Sequence, residues 1–207
     1  MRLRRCGSDA VLIEVDSLDE VDAVRAALAD AAARGRLPAL VELVPAARTV
    51  LAAVRPGSGG LAALREVVAG IDVTAVLGRD SREVVLAVRY DGPDLKLVAE
   101  TAGIGVAEVV ELHSGVDYSV AFTGFAPGFG YLVGLPELLC QPRLDQPRTK
   151  VPAGSVGIAG EFTGAYPRSS PGGWRLIGRT DAALFDSHRD RPALLAPGDR
   201  VRFEVRA

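Results

Sequence analysis

Apolar and polar positions at the start of the chain follow first a strand-like and then a helix-like spacing. The run DAVLIEV over 9–15 is short and apolar and predicts a buried strand. After Ser17, apolar residues recur every three or four positions until Gly35, which predicts an amphipathic helix. Ser17 and Glu20 have the spacing of a capping box, and a glycine is well suited to end a helix.

Four more elements are predicted before residue 91. The segments ALVELV and RTVLAAV are typical of strands on either side of Pro45, a second helix covers about 61–69, and 83–90 form a further strand. The order β-α-β-β-α-β is typical of a ferredoxin-like split β-α-β fold. Residues 1–90 are therefore predicted to form a small α/β domain of the α+β class.

Two short helices joined at Gly103 are predicted over 91–115. This pattern raises the possibility of a DNA-binding helix-turn-helix, whose second helix needs basic residues to meet phosphates and base edges. The second helix instead carries Glu108 and Glu111 and no lysine or arginine. The pair is therefore interpreted as a structural connector.

The pattern changes to strict alternation from residue 116 onward. VDYSVAF over 116–122 and DRVRFEV near the end both alternate, and Val201, Phe203 and Val205 are predicted to face inward. Many short strands punctuated by glycine and proline predict a β-barrel or sandwich. Residues 91–207 are thus expected to be a mainly-β domain with two leading short helices.

Composition narrows the class of protein. The chain has 207 residues, is 48% hydrophobic and has a net charge of −2, which favours a globular protein and argues against nucleic-acid binding. The apolar run near the N-terminus is too short for a signal peptide, and no segment is long enough to span a bilayer. We therefore expect a cytoplasmic protein that does not enter membranes.

Cysteine and histidine usage offers no sign of a metal site. Cys6 and Cys140 stand apart, outside any CxxC motif, and are interpreted as free thiols. His113 is predicted to cap the end of a helix, and His188 is predicted to lie on the surface. Two isolated histidines cannot form a convincing metal site, so no metal ligands are predicted.

The stretch 150–180 differs from the rest of the chain because it is dense in glycine and proline. Rigid loops that bind ligands have this composition, and so do tight turns between strands, so both interpretations stay open. Between residues 141 and 180 there are six basic residues and two acidic ones, although the whole chain is acidic. Such a local excess suits an anionic ligand such as a carboxylate or phosphate.

Three segments carry a resemblance to a known family. FTGFAPGFGYLVGLP over 122–136, PRTKVPAGSVGIAG over 147–160 and TGAYPRSSPGGWRLIGRT over 163–180 resemble the allophanate hydrolase subunit 1 family. This family, also described as carboxyltransferase subdomain C/D, includes 5-oxoprolinase B subunits and Kip-type inhibitors of a histidine kinase. One departure is Gly130, where the family motif has proline.

The resemblance implies both a fold and a function. The implied fold is a small α/β domain followed by a cyclophilin-like β-barrel. The implied function is that of one component of an ATP-dependent 5-oxoprolinase, which opens 5-oxoproline to L-glutamate. The implied partners are a sister subunit of similar barrel fold (the C-type component of 5-oxoprolinase, or the allophanate hydrolase subunit 2 type) and a third subunit (the A-type component), with any Mg²⁺ held elsewhere in the complex.

Candidate site residues are then assigned from this stretch and the motif before it. Arg148 and Lys150 are the candidate cations for phosphoryl oxygens, and Ser155 is a candidate to face an oxyanion, although a turn serine would look the same. The candidate substrate or nucleotide pocket comprises Phe125, Pro127, Gly128, Phe129, Tyr131, Pro152, Gly154, Tyr166, Ser170, Trp174 and Arg179. For Trp174 core packing is an equal interpretation, and for Arg179 so is an ion pair with an acid of the barrel wall.

Two other functions remain open. One is a component linked to allophanate hydrolysis or urea carboxylation, although the Ser-Ser-Lys arrangement of that amidase chemistry is absent from the sequence. The other is a protein inhibitor of a histidine kinase, in which the loops would form a docking surface. The sequence also lacks the GxxxxGK[ST] phosphate-binding motif, so bound ATP would need a different geometry or a site in the sister subunit.

Overall fold

The computed structural model of the chain describes residues 1–73 and 82–206. It divides into two compact units, Met1–Asp80 and Ser81–Ala207. In the described residues no helix combines the length and apolar character needed to cross a membrane.

The first unit is a sheet with two helices. Its elements are β1 (Arg2–Cys6), β2 (Ala10–Glu14), α1 (Leu18–Ala33), β3 (Leu40–Pro45), β4 (Thr49–Val54) and α2 (Leu61–Ala69). Within residues 1–73 the strands form an antiparallel sheet in the order β1-β2-β4-β3. One core, built mainly from β2, β4 and the two helices, holds the unit together.

Helix α1 follows from its local sequence. The Ser17 hydroxyl accepts a hydrogen bond from the Glu20 backbone N–H at 3.2 Å, and the Glu20 carboxylate accepts one from the Asp16 N–H at 3.0 Å. The predicted cap is confirmed, and Gly35 follows the helix with a positive φ of 73°. The predicted apolar face is also confirmed, because its residues are buried: Val21, Val24, Leu28 and Ala31.

The ferredoxin-like arrangement is not confirmed. Its last predicted strand, β5 (Glu83–Val88), pairs in parallel with β13 (Arg200–Val205) in the second unit. The edge of the first sheet beside β2 is occupied by β1, which the hydrophobic pattern did not reveal because all five of its residues are exposed. The assignment of 83–90 to the first domain is therefore wrong, and the two units divide between Asp80 and Ser81.

The second unit is a barrel with two helices. After β5 come α3 (Leu95–Ala102), α4 (Val106–Ser114), β6 (Asp117–Thr123), β7 (Gly130–Val133), a 3-10 turn (Glu137–Leu139), β8 (Arg148–Val151), β9 (Ser155–Ala159), β10 (Phe162–Ala165), β11 (Ser170–Gly172), β12 (Arg175–Arg179) and β13. In residues 82–206 seven strands are ordered β12-β9-β10-β7-β6-β13-β5, and β8 pairs with β11 as a separate ribbon.

The sheet of the second unit is nearly closed. Arg89, just after β5, and Arg179 at the end of β12 exchange backbone hydrogen bonds of 2.9 Å in both directions. This contact joins the two edge strands, so the predicted barrel is confirmed, while its cyclophilin-like character stays a prediction. Val201 and Phe203 face the core as predicted, but Val205 is 59% exposed, because β13 passes beyond the core there.

Helices α3 and α4 pack against the barrel. Val98, Ala99 and Val109 lie in the same hydrophobic core as the inward-facing residues of the barrel strands. A second, smaller core lies on the opposite face of strands β9 and β12 and includes Val151 of the ribbon. We call this second core the aromatic layer, and it contains Phe129, Val151, Ala159, Tyr166, Trp174 and Leu176.

Candidate functional site

The glycine- and proline-rich stretch 150–180 contains the end of β8, strands β9 to β12 and the turns between them. Gly154 has a φ of 80°, and a Cβ added there would lie 2.3 Å from the Thr180 carbonyl oxygen. Thr180 N–H in turn donates to the Gly154 carbonyl at 2.8 Å. At this position glycine is required, because the two backbone segments approach too closely for a side chain.

Arg148 is held by a buried carboxylate. Its Nη2 lies 2.6 Å from Asp94 Oδ1, and Asp94 Oδ2 accepts the Leu176 backbone N–H at 2.7 Å. Asp94 is only 6% exposed and immediately precedes α3. The other terminal nitrogen of Arg148, Nη1, is buried and has no hydrogen-bond partner among the described residues. Arg148 therefore has one terminal nitrogen committed to the fold and one enclosed without a partner.

The remaining cations of this region differ in their partners. Arg179 forms an ion pair with Asp91 at 2.8 Å, which is the ordinary role that the sequence left open for it. Arg175 donates to Gln141 and to Thr101. The local basic excess is therefore partly neutralised by acids from outside the stretch, near the start of α3.

Lys150 is the clearest free cation of the predicted set. It lies in β8, its side chain is exposed, and in the described part of the chain it forms no hydrogen bond or ion pair. A lysine with three unused donors can contact an anion without first breaking an internal pair.

The two predicted serines are less accessible than a ligand contact requires. Ser155 is 7% exposed, and its backbone N–H donates to the Pro152 carbonyl while its own carbonyl accepts the Tyr166 N–H. These backbone bonds place Ser155 in a turn at the start of β9. Ser170 lies in β11, and its Oγ is buried without a partner among the described residues.

Three of the predicted pocket aromatics are packed inside the aromatic layer. Phe129, Tyr166 and Trp174 are 1%, 2% and 4% exposed, and the Phe129 ring meets both others edge to face at centroid distances of 5.4 and 5.3 Å. Burial raises the pKa of the Tyr166 phenol. Core packing is therefore their observed role, as the sequence had left open for Trp174.

The loop before β7 contains the exposed part of the motif. Phe125 has a positive φ of 64°, which is unusual for an aromatic residue, and its side chain is 56% exposed. Phe125, Pro127 and Gly128 line an apolar groove of about 570 Å³ together with Phe185 and Leu195. The sequence did not predict the last two, because they lie in an irregular segment without strand or helix periodicity.

The other residues of the motif lie outside the lining of this groove. Tyr131 is half-buried and stacks on Phe122 at 4.4 Å, and Pro152 is exposed just after β8. Gly130 begins β7, and a Cβ added there would lie 3.2 Å from Leu195 Cδ1. The departure from the family proline thus falls in a paired strand.

His113 lies in the last turn of α4, but the predicted capping role is wrong, because its ring is fully buried in the barrel and bonds side chains there. Its Nδ1 is 2.8 Å from the Tyr90 hydroxyl, and its Nε2 is 2.9 Å from Thr163 Oγ1, which donates to the Gly157 carbonyl at 3.1 Å. Thr163 must then accept from Nε2–H, so Nδ1 accepts from Tyr90. Burial lowers the pKa of His113 to about 3 and keeps the ring neutral.

The described residues contain no group of three or more histidine, cysteine, aspartate or glutamate side chains placed to hold a metal ion. Both cysteines are free, as predicted, and both are exposed.

Sequence comparison shows which proteins this chain is similar to. Residues 1–195 match the family described as carboxyltransferase domain, subdomain C and D. The 5-oxoprolinase B subunit from Escherichia coli O157:H7 is 47% identical over 171 residues, which cover 81% of this chain and 78% of that protein.

Structural comparison agrees with the observed fold. The crystal structure of TTHA0988 superposes with a TM-score of 0.83 and 36% identity over 100% of this chain, which spans only 40% of that protein. Kluyveromyces lactis urea carboxylase matches with a TM-score of 0.74 over 99% of this chain and 22% of its own length. Its identity is 21%, so this second likeness shows a shared fold alone.

Proposed function

Because the chain belongs to the family of the carboxyltransferase domain, subdomain C and D, we propose that it is the B subunit of a 5-oxoprolinase. The observation that carries this proposal is the 47% identity to the Escherichia coli 5-oxoprolinase B subunit over 81% of the chain. The enzyme is a hydrolase that opens the lactam of 5-oxoproline to L-glutamate, acts in the cytoplasm and uses ATP.

ATP has a chemical role in this reaction because a lactam carbonyl is a poor electrophile. Transfer of the γ-phosphoryl group to the lactam oxygen leaves an imidate-like carbon that water can attack. The carbon–nitrogen bond then breaks, and a second water releases phosphate to complete L-glutamate. Negative charge on the transferring group requires fixed cations and N–H donors nearby.

Two residues on β8 are suited to supply the positive charge that stabilises the transferring phosphoryl group. Lys150 is exposed and has no internal partner among the described residues. Arg148 is positioned by Asp94 and keeps Nη1 unbonded. Ser155 is buried in a turn, so its contribution is to hold the start of β9 in place.

The chain alone does not present a complete set of catalytic groups in its described part. The active site is therefore proposed to be completed by two further subunits, one of them a sister of similar barrel fold. The fold likeness to urea carboxylase leaves the urea-linked alternative as a prediction, since a shared fold is compatible with many reactions.

The test is an assay of glutamate release from 5-oxoproline by the chain co-expressed with both partner subunits, with and without ATP. We expect activity that requires ATP and this chain. Lys150→Ala should lower kcat/KM by about 100-fold, a typical loss when one charge-stabilising donor is removed.

The sequence offers a matched control, because its two lysines are both exposed and the second, Lys96, lies on α3. Lys96→Ala should leave kcat/KM unchanged. Glutamate release that continues when this chain is omitted would refute the proposed function. Equal activity of the Lys150→Ala and Lys96→Ala variants would refute the proposed role of Lys150 but not the proposed function.

A further inference from the structure

One hydroxyl group of the aromatic layer reaches the ribbon formed by β8 and β11. Tyr166 is only 2% exposed, and its hydroxyl oxygen lies against Gly172 of β11, where an added Cβ would be 2.6 Å from it. Only glycine at position 172 therefore leaves room for the hydroxyl. Gly172 is itself half-buried and pairs with Arg148 across the ribbon, so the hydroxyl lies beside the strand that bears Lys150.

The proton of this hydroxyl has no acceptor in the described part of the chain. The Trp174 backbone N–H bonds the Tyr166 oxygen, so the O–H of Tyr166 must donate in another direction. Polar groups on buried side chains are nearly always hydrogen-bonded. An unpaired donor on a buried tyrosine therefore indicates an acceptor that the described chain does not itself supply.

Two arginines act on the Tyr166 hydroxyl, and no acid of the described chain does. Burial raises the pKa of the Tyr166 phenol, whereas the Trp174 N–H and the charges of Arg143 and Arg148 act in the opposite direction. Arg148 shares its charge with Asp94 at 2.6 Å, but Arg143 is exposed and forms no hydrogen bond or ion pair with the described residues. The surroundings of the hydroxyl are therefore positive and rich in donors.

The loop that bears Arg143 is tied to the strand against which the hydroxyl lies. The Leu144 N–H donates to the Gly173 carbonyl at 2.8 Å, and Gly173 directly follows Gly172. This bond holds the backbone of Arg143 beside the Tyr166 hydroxyl. Because a guanidinium group presents several donors in a fixed plane, a fixed backbone at Arg143 favours a defined anion contact.

The acids of the same stretch do not cancel this charge. Asp145 lies two residues after Arg143 and is exposed, but it is not among the charges that act on the Tyr166 hydroxyl. Glu161, the other acid between residues 141 and 180, lies near the Cys140 thiol instead. The hydroxyl and Arg143 therefore form a donor pair that is open to an anion.

We propose that Arg143 and the Tyr166 hydroxyl bind the carboxylate of the substrate. A guanidinium group matches the two oxygens of a carboxylate, and a phenol hydroxyl adds a further donor. The choice of 5-oxoproline as the substrate rests on the proposed function. In 5-oxoproline the carboxylate and the lactam oxygen stand on the two ring carbons next to the nitrogen, so a carboxylate held here leaves the lactam oxygen close to the cations of β8.

The test is steady-state kinetics of the enzyme assembled from this chain and both partner subunits. The substrates are 5-oxoproline and 5-oxoprolinamide, which has an uncharged amide in place of the carboxylate, and phosphate release measures turnover of both. Arg143→Ala should raise KM for 5-oxoproline at least about tenfold and Tyr166→Phe at least about fivefold, with KM for ATP unchanged. The preference in kcat/KM for 5-oxoproline over the amide should fall with them, which a loss of structure alone would not cause.

Arg191→Ala is the matched control, since Arg191 is also exposed and without a hydrogen bond or ion pair to the described residues, but lies in the loop after β12. Its KM for 5-oxoproline should be unchanged. A raised KM for ATP instead of 5-oxoproline in Arg143→Ala would show that the donor pair holds phosphate and would overturn the carboxylate subsite. Loss of a partner subunit from Arg143→Ala in gel filtration would show a docking surface and would also overturn it.

The subsite and the proposed function can fail separately. If the assembled enzyme turns over 5-oxoproline with an unchanged KM in both Arg143→Ala and Tyr166→Phe, the function stands and the subsite is wrong. If 5-oxoproline is not turned over, isothermal titration calorimetry of the same complex with 5-oxoproline decides the subsite. Binding that weakens in Arg143→Ala supports the subsite without the function, and an absence of binding refutes both.

Discussion

The second unit carries two groups of aromatic side chains with opposite exposure. Phe129, Tyr166 and Trp174 are nearly fully buried in the aromatic layer, whereas Phe125 and Phe185 stand exposed at the groove. Phe125 and Phe129 are only four residues apart, and their ring centroids lie 5.3 Å from each other. Exposure was therefore decided by the strands and ribbon that cover one group, and not by residue type.

The largest expected effect comes from a substitution in the buried group, the aromatic layer. Trp174→Ala should lower the free energy of unfolding by about 3–5 kcal/mol, because a large buried side chain leaves a cavity between ribbon and barrel. Urea unfolding followed by circular dichroism measures the loss, since the variant lacks the only tryptophan. Phe185→Ala should cost less than about 1 kcal/mol, and an equal loss in both would contradict the comparison.

A smaller effect is expected from the ion pair that anchors the ribbon. Asp94→Asn should destabilise the protein by about 3 kcal/mol, because it leaves the partly buried Arg148 without its carboxylate. Asp91→Asn is the control, since its partner Arg179 is exposed and surface pairs contribute about 1 kcal/mol or less. The same urea titration compares them, and equal midpoints would show that burial at Asp94 is unimportant.

The buried His113 should make the stability of the protein depend on pH. Burial lowers the pKa of His113 to about 3, whereas in the unfolded chain the imidazole takes up a proton near pH 6.5. Stability from His113 is therefore complete above pH 6.5 and is lost as the pH falls toward 3.

Between pH 7 and pH 5 this linkage should lower the free energy of unfolding by about 2 kcal/mol. Urea midpoints of the native chain and of His188→Gln should fall in parallel, because His188 is exposed. A His113→Gln variant should be less stable at pH 7 but lack this slope. An unchanged slope in that variant would contradict the assignment.

The smallest expected effect concerns the exposed Phe125, where glycine should be more stabilising than alanine. Both Phe125→Gly and Phe125→Ala remove the ring, but only glycine adopts the positive φ without strain. Phe125→Gly should therefore be more stable than Phe125→Ala by about 1 kcal/mol. Thermal unfolding of the two variants decides it, and an equal Tm would mean that the turn at Phe125 is relaxed.

Local sequence determined the elements whose signals lie within a few residues of one another. The capping of α1 by Ser17 and Glu20 and the bounds of α2 were predictable, because helix periodicity and caps act over three or four residues. The alternation in β6 likewise predicted which of its side chains are buried. The family motif also lies in one continuous region, so it too could be recognised from sequence.

Tertiary structure decided which distant segments meet. Pairing of β5 with β13, the bond from Asp94 to Arg148 and the burial of His113 each depend on residues far apart in the chain. The hydrophobic pattern indicates that a strand has a buried face, but it cannot identify the neighbouring strand, because every strand offers the same backbone donors and acceptors. The exposure of Phe125 and the burial of Trp174 follow from that pairing, since closing the barrel and adding the ribbon cover one ring and leave the other in contact with solvent.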